Sequence, residues 1–165
     1  MRERVVEFLR QGRPDAAAEL AAASRGGVRA LTARLWDLDE EVRHAAAEAI
    51  GRLSVSAPAK LHEALRRFVW ALNDESGTNG AATLTAMAAV ARHRPMALAP
   101  FLGALVALLD DDGLRPGILT VLDAVERTAP ELLAPFKADL IGWSDELEDD
   151  LLVALAARLQ RGDDA

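Results

Sequence analysis

"LWDLDEEVRHAAAEAIGRL", residues 35–53, carries the pattern on which the fold turns. Asp39 stands where a helix needs a side-chain acceptor for its first free N–H groups, and Glu40 and Glu41 follow at the positive end of the helix dipole. Val42, Ala46, Ala49, Ile50 and Leu53 then recur at helical spacing, which predicts one apolar stripe on a helix over about 39–54. A second copy lies 72 residues on, in "DDGLRPGILTVLDAV" (111–125). There Asp111 stands for Asp39, Leu114 for Val42 and Arg115 for Arg43, while Ile118, Val121, Leu122 and Val125 repeat the stripe. Half of that offset predicts a unit in between, and "RLWDLDE" (34–40), "ALNDESG" (71–77) and "ALLDDDG" (107–113) supply it. "PMALAPF" (95–101) and "PELLAPF" (130–136) echo each other in the same way. A fixed period of this kind is the mark of stacked structural repeats.

The composition agrees. Of the 165 residues, 51% are hydrophobic and only 4% aromatic, with no Tyr. Ala and Leu suit closely packed helices, whereas sheets favour β-branched and aromatic residues. We therefore expect an all-α chain, a right-handed stack of about five helical hairpins in one domain spanning 1–165. The expected units are about 2–24, 27–54, 58–93, 96–128 and 131–160. Within them the helices are expected at 2–11 and 14–24, 27–37 and 39–54, 58–73 and 79–93, 96–110 and 114–128, and 131–143 and 145–160. Pro14, Pro58, Pro95 and Pro130 each fall near a helix start, where the missing N–H has no partner to lose.

Composition also narrows the functional classes. The absence of Cys removes disulfides, thiolate metal sites and cysteine nucleophiles. The opening "MRERVVEFLRQGRPD" has no signal-peptide pattern, and no apolar run reaches about 18 residues. A cytoplasmic protein without a membrane span is expected. Net charge is −7, divided unevenly: residues 1–72 hold 12 basic and 10 acidic side chains, residues 73–165 hold 7 and 16. That balance speaks against nucleic acid, whose binding rests on phosphate neutralisation. Two local basic groups, Arg25, Arg29 and Arg34, and Lys60, Arg66 and Arg67, are read as solvated helix faces.

Asp-x-x-Val-Arg-x-x-Ala-x-x-Ala-Ile-Gly, here Asp39 to Gly51, resembles the second helix of a HEAT repeat, in the short variety found in bacterial proteins and in sequences related to phycobilin lyases. The resemblance implies an α-solenoid, an armadillo-like superhelix, used mostly as an interaction scaffold. It further implies that Arg43 and Arg115 form a ladder to acids of neighbouring repeats. "WALNDESG" (70–77) is similar to a segment of small HEAT-like proteins of sulfate-reducing bacteria, a group with no assigned function. Where that group continues with a Gly- and Trp-containing run and a Pro-Glu pair, this chain reads "TNGAATLTAM", which leaves any polar site there incomplete.

"WALNDESGTNG" (70–80) interrupts the apolar pattern, and the place of the repeated Arg falls at Asn79-Gly80. Its simplest reading is a helix end closed by Gly77 and a new helix capped by Thr78 or Asn79. Asn73, Asp74, Glu75 and Ser76 are oxygen donors, but they lack the spacing of a calcium loop. His62-Glu63 is a single pair, whereas HEAT-like hydroxylases use several to bind iron. No cofactor or metal is expected, and a HEAT-like DNA glycosylase would want a basic concave face. Trp36, Trp70 and Trp143 are expected in the last turn of the first helix of a pair, covering the bend, with Trp70 the exception that could anchor a partner. Ser144 is expected to cap the last helix, with the acids of "SDELEDDLL" (144–152) forming a polar terminal cap.

The leading functional reading is a non-enzymatic scaffold for a protein partner, held on a concave face or at the Trp70–Gly80 rim. Its candidate residues are Trp70, Asn73, Asp74, Glu75, Ser76, Asn79, Arg43 and Arg52, with Glu48, Arg92 and Arg127 also on the concave face. The rival is an accessory or catalytic, lyase-like HEAT protein with a small-ligand site at that same loop.

Overall fold

The computed structural model describes residues 1–73 and 80–161, and among these the regular structure is helical, with no strand. Helix α1 (Arg2–Arg10) leads to α2 (Pro14–Ala23), and α3 (Gly27–Thr32) tightens into a 3₁₀ turn at Ala33–Trp36. Next come α4 (Glu40–Ser56), α5 (Pro58–Leu72) and α6 (Gly80–His93). A 3₁₀ stretch, Pro95–Phe101, runs into the short α7 (Leu102–Val106), followed by α8 (Arg115–Thr128). Another 3₁₀ stretch, Pro130–Phe136, precedes α9 (Lys137–Leu147), and α10 (Asp150–Arg161) closes the described chain. Among the described residues no helix is long and apolar enough to cross a membrane.

The predicted stripe is the core of α4. Val42, Ala46, Ala49, Ile50 and Leu53 have no exposed surface, and neither do Ile118, Val121, Leu122 and Val125 of α8. Asp39 caps α4 as its sequence suggests, its Oδ1 accepting from Glu41 N–H at 2.9 Å. Asp111 makes the corresponding bonds in its own turn, from Gly113 N–H at 2.8 Å and Leu114 N–H at 3.0 Å.

Helices α2, α4, α6 and α8 pack side by side in that order, and α10 rests on α9 and α8. Small residues let this layer close up. A Cβ on Gly51 of α4 would stand 2.8 Å from the Ala89 carbonyl oxygen of α6, and one on Gly117 of α8 would stand 2.7 Å from Leu84 Cδ1. The other elements lie beside the layer: α5 contacts α4, α6, α3 and the Pro95–Phe101 stretch.

The last carbonyls of a helix have no partner within it. In this chain a side chain from farther on takes them. Lys60 Nζ donates to Ala22 O at the end of α2, Arg94 Nη1 to Ser54 O at the end of α4, and Thr128 Oγ1 to Ala91 O at the end of α6. These pairs are 38, 40 and 37 residues apart, close to the sequence period.

Two expected helices are built differently. The stretches expected at 96–110 and 131–143 begin as 3₁₀ turns and become α-helical only at Leu102 and Lys137. Pro100 and Pro135, the second prolines of the two echoing motifs, lie inside those turns. A proline within a helix has no N–H to donate and crowds the carbonyl four residues back, so the chain takes the tighter turn. Ser144 does not begin a helix either: it lies inside α9 and its Oγ donates back to Ile141 O. The break comes at Glu148, in the left-handed region at φ 46°, and Asp149 Oδ1 accepts from Leu151 and Leu152 N–H to start α10.

Candidate functional site

The sequence candidates divide over three places. Trp70 lies in the last turn of α5 and leaves 73% of its surface exposed, the largest aromatic exposure among the described residues. Asn73 is exposed and ends that helix, its Nδ2 donating to Val69 O at 2.9 Å. Asp74, Glu75, Ser76 and Asn79, and the expected caps Gly77 and Thr78, lie outside the described residues. Gly80 opens α6 where the repeat elsewhere has its Arg, and a Cβ there would collide with the Leu114 side chain. The glycine thus makes room for the residue that stands for Val42 in the next copy.

Among the described residues Arg43 reaches no acid of a neighbouring unit, where the resemblance implied one. Its Nη1 donates to Asp37 O at 2.8 Å and Leu38 O at 3.1 Å, closing the turn before its own helix. Arg115 does the same, with Nε on Leu109 O at 2.7 Å and Nη2 on Asp110 O at 3.4 Å and on Asp112. The carbonyls lie six and five residues back in both copies, so the repeated Arg is a hairpin clasp. Arg43 also lines a cavity of about 390 Å³ together with Trp36, His44 and the first turn of α6 at Ala81 and Ala82.

Arg52 belongs elsewhere. It is nine residues farther along α4, about 14 Å at the helical rise, and pairs with Asp15 of α2. Beside it Glu48 is the hub of the layer: His93 Nε2 is 2.6 Å away, Arg92 Nη2 3.3 Å and Arg52 Nε 3.4 Å. Burial pushes the Glu48 carboxyl up, but the hydrogen bonds and charges of His93 and Arg92 outweigh it and hold the group below its ordinary value. Farther on, Asp123 pairs with Arg127 and Arg158, and Glu126 with Arg158 at 2.9 Å. The charges expected on this face are therefore paired with one another along α2, α4, α6, α8 and α10.

A surface that the sequence reading set aside gathers several cations. Between α3 and α5 runs a groove of about 720 Å³ with Val28, Ala64 and Phe68 on its floor. Arg25, Arg29, Lys60 and Arg67 line it, with Glu63 the sole carboxylate among its lining residues. Glu63 is held by Arg66 and Arg67 at 3.3 and 3.2 Å, while Arg25 and Arg29 are exposed and make no ion pair among the described residues. Arg25 and Arg29 of one basic group thus face Lys60 and Arg67 of the other across one groove, while Arg34 and Arg66 are not among its lining residues. Arg25 and Lys60 are 35 residues apart, one repeat period, and that spacing was the available signal.

Trp36 is 44% exposed at the end of its 3₁₀ turn. Trp143 sits in the body of α9 rather than in its last turn, packed on the core and lining a cavity of about 500 Å³ with Phe136. His62 lies against the ring of Phe101, centroids 5.4 Å apart. Among the described residues no three His, Asp or Glu side chains converge as a metal site. Comparisons with protein-family models, with curated proteins and with solved structures give no match.

Proposed function

We propose that the chain is a HEAT-like, right-handed α-solenoid whose work is to bind a protein partner at the rim where α5 passes to α6. The solenoid reading is supported by the side-by-side order of α2, α4, α6 and α8 and by the clasp geometry that Arg43 and Arg115 share. The observation that carries the functional reading is Trp70, a large ring held 73% in water at the end of a well-formed helix. Burying an aromatic ring of this size on association is a strong source of binding energy, and Trp is enriched at such anchor points. Trp36, 44% exposed and set against the first turn of α6, lies beside the same connection. By contrast, the arginines of the α2–α4–α6–α8 layer already have partners, and engaging them would first break those pairs.

Affinity capture from the native cell with the wild-type chain, Trp70→Ala, and the Asp74→Ala/Glu75→Ala pair tests this reading. The rim variants should lose at least tenfold in partner yield, and Trp70→Ala should melt within about 2 °C of wild type, since an exposed position contributes little to stability. Equal capture by all three would overturn it.

A further inference from the structure

From the α3–α5 groove we infer a more specific partner chemistry: it receives an acidic amphipathic helix of a protein partner, laid along α5 towards Trp70. This inference rests on the scaffold reading above. Three observations carry it. The first is charge. The groove's lining holds four cations and one carboxylate on a chain of net charge −7, and that carboxylate is already paired. Arg25 and Arg29 stand exposed with no counter-ion among the described residues, so an incoming carboxylate displaces nothing but water. The acidic remainder of the chain repels acidic segments elsewhere, which favours their approach to this groove.

The second is the floor. Val28 and Phe68 give an apolar strip between the basic walls, which matches a helix with one apolar and one acidic face. The third is length. Ala59 to Phe68, the α5 wall, spans about 14 Å at 1.5 Å per residue, so it matches about two and a half turns of a docked helix. Trp70 follows Arg67 by three residues on α5, and neighbours at that spacing share a helix face. The ring thus extends the groove by one turn, where it can cover the end of the guest helix.

The test is fluorescence anisotropy with labelled, helix-forming peptides of about 15 residues. One carries Leu at i, i+4, i+7 and i+11 with Glu on the other face, and a second has the same Leu positions with Lys. A duplex oligonucleotide is the third probe. The acidic peptide should bind at least tenfold more tightly than either of the others and weaken as salt is raised from 0.05 to 0.5 M. Arg25→Glu/Arg29→Glu should reduce its binding at least tenfold. So should Ala59→Glu, which adds a carboxylate at an exposed position of the same groove. Melting temperatures read alongside establish that both variants are folded. Equal binding of the two peptides, unchanged binding by the variants, or tighter binding of the oligonucleotide would each overturn the inference. Its failure is separable from that of the rim reading. Partner capture lost in Trp70→Ala with no acidic-peptide binding removes the groove alone. Peptide binding with undiminished capture by Trp70→Ala removes the rim alone.

Discussion

The layer of α2, α4, α6 and α8 and the groove between α3 and α5 both carry arginines, and they use them in opposite ways. In the layer, and where α10 rests on it, arginines meet acids: Arg52 meets Asp15 and Glu48, Arg92 meets Glu48, and Arg158 meets Asp123 and Glu126. In the groove Arg25 and Arg29 answer nothing among the described residues. Charges of the first kind tie neighbouring helices together and are poor ligands for anything else. Charges of the second kind add little to the fold and remain available. The difference separates the part of the molecule that holds its shape from the part that is open to a partner.

The largest effect that can break this contrast is steric. Gly51→Ala sets a methyl group 2.8 Å from the Ala89 carbonyl oxygen, backbone that cannot swing aside, and so pries α4 from α6. Overpacking of this kind should cost about 2 kcal/mol, even after Ala's better helix propensity is counted. A chain of this size should then melt about 4–8 °C lower, by calorimetry. An unchanged melting point would mean that the paired layer is not closely packed.

Glu48→Gln sharpens the contrast by removing the hub of the layer while leaving its shape. The folded state holds the Glu48 carboxyl below its ordinary value, so its stabilisation is present in full above about pH 4.5. It is lost as pH falls through the depressed folded value. The variant should therefore be less stable by about 1 kcal/mol at pH 7, and the gap should narrow as pH is lowered below about 4.5. Denaturant midpoints measured across that range decide it; a gap that stays constant would contradict the assignment.

The smallest effect belongs to the groove. Arg25→Ala and Arg29→Ala, singly or together, should leave stability within about 0.5 kcal/mol of wild type, because both are exposed and neither cation has an ion-pair partner among the described residues. A clear loss of stability in urea would place these residues with the paired charges and erase the distinction.

How much of this was legible in the sequence depended on how local the cause was. The α4 stripe, its Asp39 cap and the proline starts follow from contacts within a few residues, and they stand in the structure at their expected positions. The same kind of local evidence went unused at Pro100 and Pro135, where the motif was noticed as an echo although its inner proline forbade a plain α-helix. At the last helix the expectation fell on Ser144, whereas the helix starts after Asp149; no glycine marks that break, because Glu148 takes the left-handed conformation itself. Other features depend on tertiary packing and lie beyond a local reading. Arg43 has an equally good local partner in its own turn, and only the packed hairpin shows that it takes the carbonyls of Asp37 and Leu38. Likewise, each basic group alone looks like a solvated face. Their meeting over Phe68 requires the stacking of α3 on α5.

The helix ends closed by Lys60, Arg94 and Thr128 give the molecule a direction in time. As the chain is synthesised, α2 emerges well before Lys60, α4 before Arg94 and α6 before Thr128. Each inner helix therefore waits for about 40 more residues before its last turn is satisfied. At about 5–20 residues per second this is a delay of about 2–8 s per unit. Each helix end stays open until the next unit emerges, and each successor completes the unit behind it.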